Sequence, residues 1–230
     1  MNTTIQRFKL VLQENKEHLF FYISGFIILG LGINMMKASA LGNGAWDTVT
    51  INIRAFFNQN IGWEWVTIGM ISFLVSMIVM TIVITYRKKA RYFFMLIPIF
   101  LVAIFIDFWN IVVFQDQEFT NTIIRILFYV LGLFILPFGL TCIIKSSFPA
   151  FVFDELMMMI TDIFKTKKIV YVRLAIEVLG ISIGLLFGYI VYFQASGDFG
   201  AVNIGSIVFT LLLPPIMALH FKILKVQKNG

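Results

Sequence analysis

Six apolar stretches, 19–36, 62–86, 92–114, 124–144, 170–193 and 203–224, alternate with short polar connections along the chain. Each is close to the roughly 20 residues that cross a bilayer core, so each predicts a membrane-spanning helix. Two shorter segments break this rhythm. After the first stretch comes Leu41-Gly42-Asn43-Gly44-Ala45-Trp46-Asp47, a glycine-rich, helix-ending run, and then TVTINIRAFF. After the fourth stretch, Asp154 precedes ELMMMITDIF, whose Leu156, Met157, Ile160, Ile163 and Phe164 recur at helical spacing. In the first segment Val49, Ile51 and Ile53 alternate as in a strand, but its likeness to the second decides for a helix. The pattern therefore predicts short helices over 47–57 and 154–164, with Asp47 and Asp154 as their N-caps. At this length each is an interfacial amphipathic helix or a half-length re-entrant one.

The two breaks are copies. Shifting the chain by 107 residues lays 21–47 over 128–154 without a gap, with eight of 27 positions identical, among them Gly25/Gly132, Gly32/Gly139, Ser39/Ser146 and Asp47/Asp154. The same shift lays the second span over the fifth and the third over the sixth. A unit of three spans is odd in number, so the second copy enters the membrane from the opposite side. Inverted repeats of this kind are a recurring plan of secondary transporters, with the site near the midplane between the halves. The expected fold is an all-α integral membrane bundle of six transmembrane helices in two inverted three-helix repeats, 19–121 and 122–230. An amphipathic basic segment, 1–18, precedes them on the cytoplasmic side.

Composition agrees with this division. Hydrophobic residues make up 60% of the 230 and charged residues 13%, about half the charged share of a soluble domain, so the chain cannot cover a water-facing surface. Sorted by side with both termini cytoplasmic, fifteen of the eighteen Lys and Arg fall inside and only Lys37, Arg54 and Arg125 outside, as the positive-inside rule requires. The net charge of +6 follows from that asymmetry and implies no nucleic acid. Ala38-Ser39-Ala40 has the letters of a signal-peptidase site, but the preceding apolar run is long for a signal peptide and reads as a span. The single Cys142 excludes a disulfide within the chain. His18 and His220, the only histidines, make no metal-ligand cluster. No metal and no cofactor is expected, and no Walker-type phosphate loop is present.

LGNGAWD at 41–47 resembles the Leu-Gly-x-Gly-Pro-Trp-Asp motif of YczE/YyaS/YitT-like bacterial membrane proteins, with Ala45 in place of the proline. The likeness extends over most of the chain, including the doubled architecture and Phe105-Ile106-Asp107 in the third span. The resemblance implies a multi-pass protein of the bacterial plasma membrane and supplies neither a substrate nor a catalytic residue.

Ionisable groups inside spans are costly and mark candidate sites. Asp107 and Glu177 lie within the third and fifth spans, and Lys37 and Lys145 at ends of the first and fourth, where they can snorkel. Lys37 shares the expected depth of Asp107 and is its candidate partner. Arg173 stands four residues before Glu177, the spacing of an intrahelical pair. The expected polar site near the midplane comprises Asn34, Lys37, Asp107, Cys142, Glu177 and Asn203, with Asp47, Asp154 and Lys145 as further candidates for substrate or ion. Gly180, Gly184 and Gly188 form overlapping GxxxG motifs, open to an internal contact or to a homodimer seam. Pro214-Pro215 is expected to interrupt the sixth span. The favoured function is movement of a small solute by alternating access. A reading from another class stays open, a non-transporting accessory or regulatory protein that stabilises a membrane assembly. Without a nucleophile–base constellation, an enzyme is not expected.

Overall fold

The computed structural model describes residues 16–146, 148–149, 151–166, 169–193 and 196–225. All but the last three residues of the 1–18 segment lie outside it. The described chain is helical, and six helices are long and apolar enough to cross a membrane. They are α1 (Lys16–Ser39), α3 (Ile68–Arg87), α4 (Leu96–Asp107), α5 (Thr122–Lys145), α7 (Ile169–Gly188) and α8 (Ile204–Ile223). α4 is extended by 3₁₀ turns before it and π turns after it, and α7 by π turns after it. The two short helices are α2 (Ala45–Phe56) and α6 (Val152–Ile163). Large apolar side chains such as Phe20, Leu74, Phe100, Ile123 and Leu211 stand exposed on the outside of the bundle, the surface that lipid covers.

α1 and α5 form the central seam, built on the glycines that the repeat pairs. A methyl group on Gly25 would touch Ile143 and the Gly139 carbonyl oxygen, and one on Gly132 would touch Met36 and the Gly32 carbonyl oxygen. Each contact maps onto the other by the shift of 107 residues. The helix ends repeat as well. Ser39 Oγ donates to the Met36 carbonyl and accepts from Leu41 N–H, while Ser146 Oγ donates to Ile143 and accepts from Phe148 N–H. Arg125 donates to the free carbonyls of Ser39 and Ala40 at 2.7 and 2.8 Å, which closes the end of α1.

The end of the bundle holding Ser39, Asp116 and Arg125 is called upper, and the end holding Arg87 and Lys145 lower. α2 lies inside the bundle along the upper half of α7, with Ala45 facing Gly180, Thr48 facing Gly184 and Asn52 facing Gly188. Since Gly180 is the middle of the 169–193 run, α2 starts at mid-height. Its twelve residues rise about 18 Å, more than half a bilayer core of about 30 Å. α6 runs the opposite way, toward the lower end. Val152 and Leu156 pack with Val79, Met80 and Val83 of α3, and Asp162 meets Arg87 at 2.6 Å at the lower end of α3.

The structure corrects three expectations. The short helices begin two residues early, with Gly44 and Phe151 as N-caps and no side-chain cap. Asp47 and Asp154 therefore stand at the third helical position rather than capping, because the backbone already winds back to Gly44, whose carbonyl accepts from Thr48 N–H, and to Phe151, whose carbonyl accepts from Asp154 and Glu155 N–H. α8 continues through Pro214 and Pro215. The second span begins at Ile68, not 62, since the Thr67 hydroxyl accepts from Met70 N–H and sets the start there. Of the two readings left open for the GxxxG motifs, the internal contact is present, since the face of α7 they form packs on α2 of the same chain.

A graded series follows from that seat. A methyl group at Gly180 would lie 3.2 Å from the Ala45 methyl, at Gly184 2.5 Å from the movable Thr48 hydroxyl, and at Gly188 against the fixed Phe199 carbonyl oxygen. Gly180→Ala is expected to be tolerated, Gly184→Ala to cost about 1 kcal/mol, and Gly188→Ala the ~3 kcal/mol at the upper end of overpacking. Thermal unfolding of the purified variants checks the order; equal losses would remove α2 from this seat.

Candidate functional site

A cavity of about 110 Å3 lies where α2 and α6 begin, and all six spans contribute to its wall. Three carboxylates, Asp47, Asp154 and Glu177, line it with the Arg173 guanidinium. Arg173 reaches Asp154 at 3.6 Å and Glu177 at 3.8 Å. Asp47 makes no side-chain hydrogen bond and no ion pair among the described residues. Ser72 and Ser76, one turn apart on α3, and Thr50 of α2, whose hydroxyl donates to the Asp47 carbonyl, complete the polar lining. The rest is apolar, including Leu29, Ile106, Leu136 and Leu213.

The local causes are clear. Both aspartates sit in the first turn of a helix, where the free N–H groups favour an anion by about 0.3–1 kcal/mol. Burial opposes this and prevails at Asp47, where burial first and the Glu177 carboxylate second push its pKa up to about 7. Burial also raises Asp154, against the pull of Arg173. Trp46 and Phe153, each just before its aspartate, bring their rings to 4.3 Å between centroids, so the two helix starts touch across the cavity. Trp46 Nε1 is buried without a hydrogen-bond partner.

A second cavity of about 700 Å3 opens at the upper end, lined by Lys37, Asn43, Glu118, Arg125, Tyr192 and Asn203. Asn43 borders this vestibule and Gly44 the central cavity, so the Leu41–Gly44 break stands between them. The break is bound to the start of α8, since Gly205 N–H donates to the Leu41 carbonyl and Asn43 N–H to Ser206 Oγ, both at 3.1 Å.

Of the residues expected at one midplane site, the central cavity gathers Glu177 together with the further candidates Asp47 and Asp154. Lys37 and Asn203 line the vestibule. Asn34 donates to the Gly30 and Ile106 carbonyls, tying α1 to α4. Cys142 is buried near the lower end of α5, and Lys145 lies over the Phe21 ring at 4.1 Å. Asp107 does not pair with Lys37. It accepts from Thr67 Oγ1 at 2.6 Å and Gly69 N–H at 2.7 Å, closing the N-terminus of α3. Lys37 and Arg54 meet Asp116, at 2.5 and 2.6 Å. Burial raises the Asp116 pKa, but the hydrogen bonds from Arg54 and Lys37 outweigh it and hold the group below its usual value.

Four polar residues of the cavity were not expected at it: Thr50, Ser72, Ser76 and Arg173. Arg173 carries a signal in its spacing from Glu177; the three hydroxyl residues carry none. Gly180-Ile181-Ser182-Ile183-Gly184 spells the letters of a hydrolase nucleophile elbow, but that motif needs a strand-to-helix turn. Here Ser182 is exposed in mid-helix and donates to the Val178 carbonyl. No three His, Cys, Asp or Glu among the described residues could hold a metal ion.

Comparison with known proteins places the chain among bacterial relatives. It is 24% identical to the uncharacterized protein YyaS of Bacillus subtilis (strain 168) over 208 residues, 87% of this chain and 94% of that one. It is 25% identical to the uncharacterized membrane protein YczE of the same organism over 194 residues, 84% of this chain and 80% of that one. No solved structure matches. A family model, a family of unknown function designated DUF6198, matches residues 16–222. A match over nearly the whole chain, with six apolar helices behind it, decides the matter: this is a multi-pass membrane protein belonging to the DUF6198 family.

Proposed function

We propose that the protein carries a small solute across the membrane by alternating access, with the central cavity as its binding site. The observation that carries this reading is the cavity's place at the start of both short helices, one of which runs to each end of the bundle. Carriers built from inverted repeats use such half-helices, with the site between the halves. The wall supports the symmetry: Asp47 and Asp154, Trp46 and Phe153, and Ile106 and Leu213 are each 107 residues apart. So are the partners in the α1–α5 seam. In this reading the chain is a pair of inverted repeats, and α2 and α6 are re-entrant. The upper end faces outward, because only Lys37, Arg54 and Arg125 of the thirteen described Lys and Arg lie there.

Opening to the outside then frees the Leu41–Gly44 break from α8 and separates Asp116 from Lys37 and Arg54. Opening to the inside moves α6 from α3 and parts Arg87 from Asp162. A single cysteine at Ser76, in a Cys142→Ser background, tests the cycle in membrane vesicles of each orientation. A membrane-impermeant maleimide is expected to reach it from both faces. Reaction from one face only, or from neither, overturns the carrier and returns the non-transporting accessory reading.

A further inference from the structure

The polar groups of the central cavity are unequally engaged, and the difference identifies a ligand. Arg173 is shared between Asp154 and Glu177, whereas the Asp47 side chain has no partner. Ser72 and Ser76 are 8% and 2% exposed, and neither hydroxyl makes a hydrogen bond among the described residues. Elsewhere in this bundle the pattern differs. Thr81, Thr141, Ser182 and Thr210 all donate to the carbonyl four residues earlier, the usual way a hydroxyl is satisfied in a membrane helix. At Ser72 and Ser76 that bond is absent, and both side chains line the cavity that Asp47 lines. Two buried hydroxyls and one carboxylate are thus left with unmet bonding capacity around one space. Leaving such groups unpaired costs about 1–3 kcal/mol each, more for the charged one.

We propose that the cavity binds a small alkylammonium ion, its N–H groups donating to the Asp47 carboxylate and the Ser72 and Ser76 hydroxyls and its short alkyl part lying against the apolar wall. Charge selects the sign. Ionised, the three carboxylates and one guanidinium sum to −2, so a cation is attracted and a carboxylate or phosphate repelled. Size and geometry select the class. Among the described residues no three acidic groups converge as a metal ion requires. A space of about 110 Å3, roughly four waters at ~30 Å3 each, takes a chain of a few carbons and excludes a sugar or nucleoside. Aromatic residues border the carboxylate, since Trp46 and Phe153 line the same cavity, and ring faces attract ammonium groups. As cargo, the ion rests on the carrier reading above; as a ligand it does not.

The test is thermal unfolding of the whole protein in lipid nanodiscs at pH 8, with 10 mM-scale n-butylammonium, n-butanol or butyrate. A ligand that binds only the folded state raises the midpoint. n-Butylammonium alone is expected to raise it, by a few degrees. The shift is expected to vanish in Asp47→Asn and to shrink in a Ser72→Ala, Ser76→Ala double variant. A shift with butyrate, equal shifts with butanol, no shift at all, or an undiminished shift in Asp47→Asn each overturns the proposal. Ammonium binding without two-sided labelling of Ser76→Cys would sink the carrier and leave the ligand standing; two-sided labelling without ammonium binding would do the reverse.

Discussion

Replacing Gly32 with Val is expected to leave little folded protein in the membrane, and replacing Gly139 with Val to do so to the same degree. A Cβ on Gly32 would lie 2.6 Å from the Leu136 nitrogen and 2.7 Å from its Cα, and one on Gly139 2.6 Å from the Leu29 nitrogen. These are backbone atoms, which no rotamer change can move. The overpacking cost of about 1–3 kcal/mol seen when side chains can adjust is therefore a lower bound. To admit valine the α1–α5 seam must part along its length, and helix association in lipid has little beyond close packing to hold it. Gly62→Ala is the comparison. It meets no atom within 4 Å and loses only the roughly 1–2 kcal/mol of a side chain in the left-handed region. The yield of monodisperse protein in detergent, with the unfolding midpoint of what survives, measures all three. A severe loss at Gly32 beside a mild one at Gly139 would contradict the equivalence of the two halves of the seam.

Those glycines were legible in the sequence because a duplicated close contact must duplicate its small residues, and the shift of 107 residues exposes the pairs. The six spans were legible for a similar reason, since lipid demands an unbroken apolar run and loops cannot supply one. The start of each short helix was read two residues late, because Asp is so common a cap that it hides the extended Gly44 and Phe151 which do the work. At the site, Glu177 stood out as a charge inside a span, and Asp47 and Asp154 as the paired aspartates of the two breaks. Asp107 stood out equally and proved to close the end of α3, because depth along one helix does not reveal which backbone lies beside it. Its expected partner was sought among the spans, while the true partner of Lys37 is Asp116, in a connection. Ser72 and Ser76 could not be found at all. A serine in a membrane helix ordinarily bonds its own backbone, and only the folded structure reveals that these two do not.

Replacing Asp47 with Asn is expected to make the ligand-free protein more stable at pH 8 while abolishing its response to cations. Burial, and the Glu177 carboxylate after it, push the pKa of this carboxyl group up to about 7 in the fold, against an ordinary 3.8. Below about pH 4 it is protonated whether the chain is folded or not, and it favours neither state. Between about 4 and 7 the unfolded chain gives up the proton and the folded one keeps it. The native state thus loses stability as pH rises through this window, by an amount on the order of a few kcal/mol, and the loss is complete above 7. The first-turn position returns at most about 1 kcal/mol to the anion, too little to offset it. Asparagine carries no such burden, so its unfolding midpoint at pH 8 should exceed that of the wild type and the two should converge toward pH 4. The charged groups facing this position are Glu177 and Arg173 on α7 and Asp154 on α6. Burial raises Asp154 as well, against the pull of Arg173, so the difference between the wild type and Asp47→Asn, rather than the slope of either, isolates Asp47. A stabilised variant that has lost ligand response would identify Asp47 as a group kept at a cost to the fold for binding. A variant destabilised at pH 8 would show instead that the carboxylate supports the start of α2, and would remove it from the site.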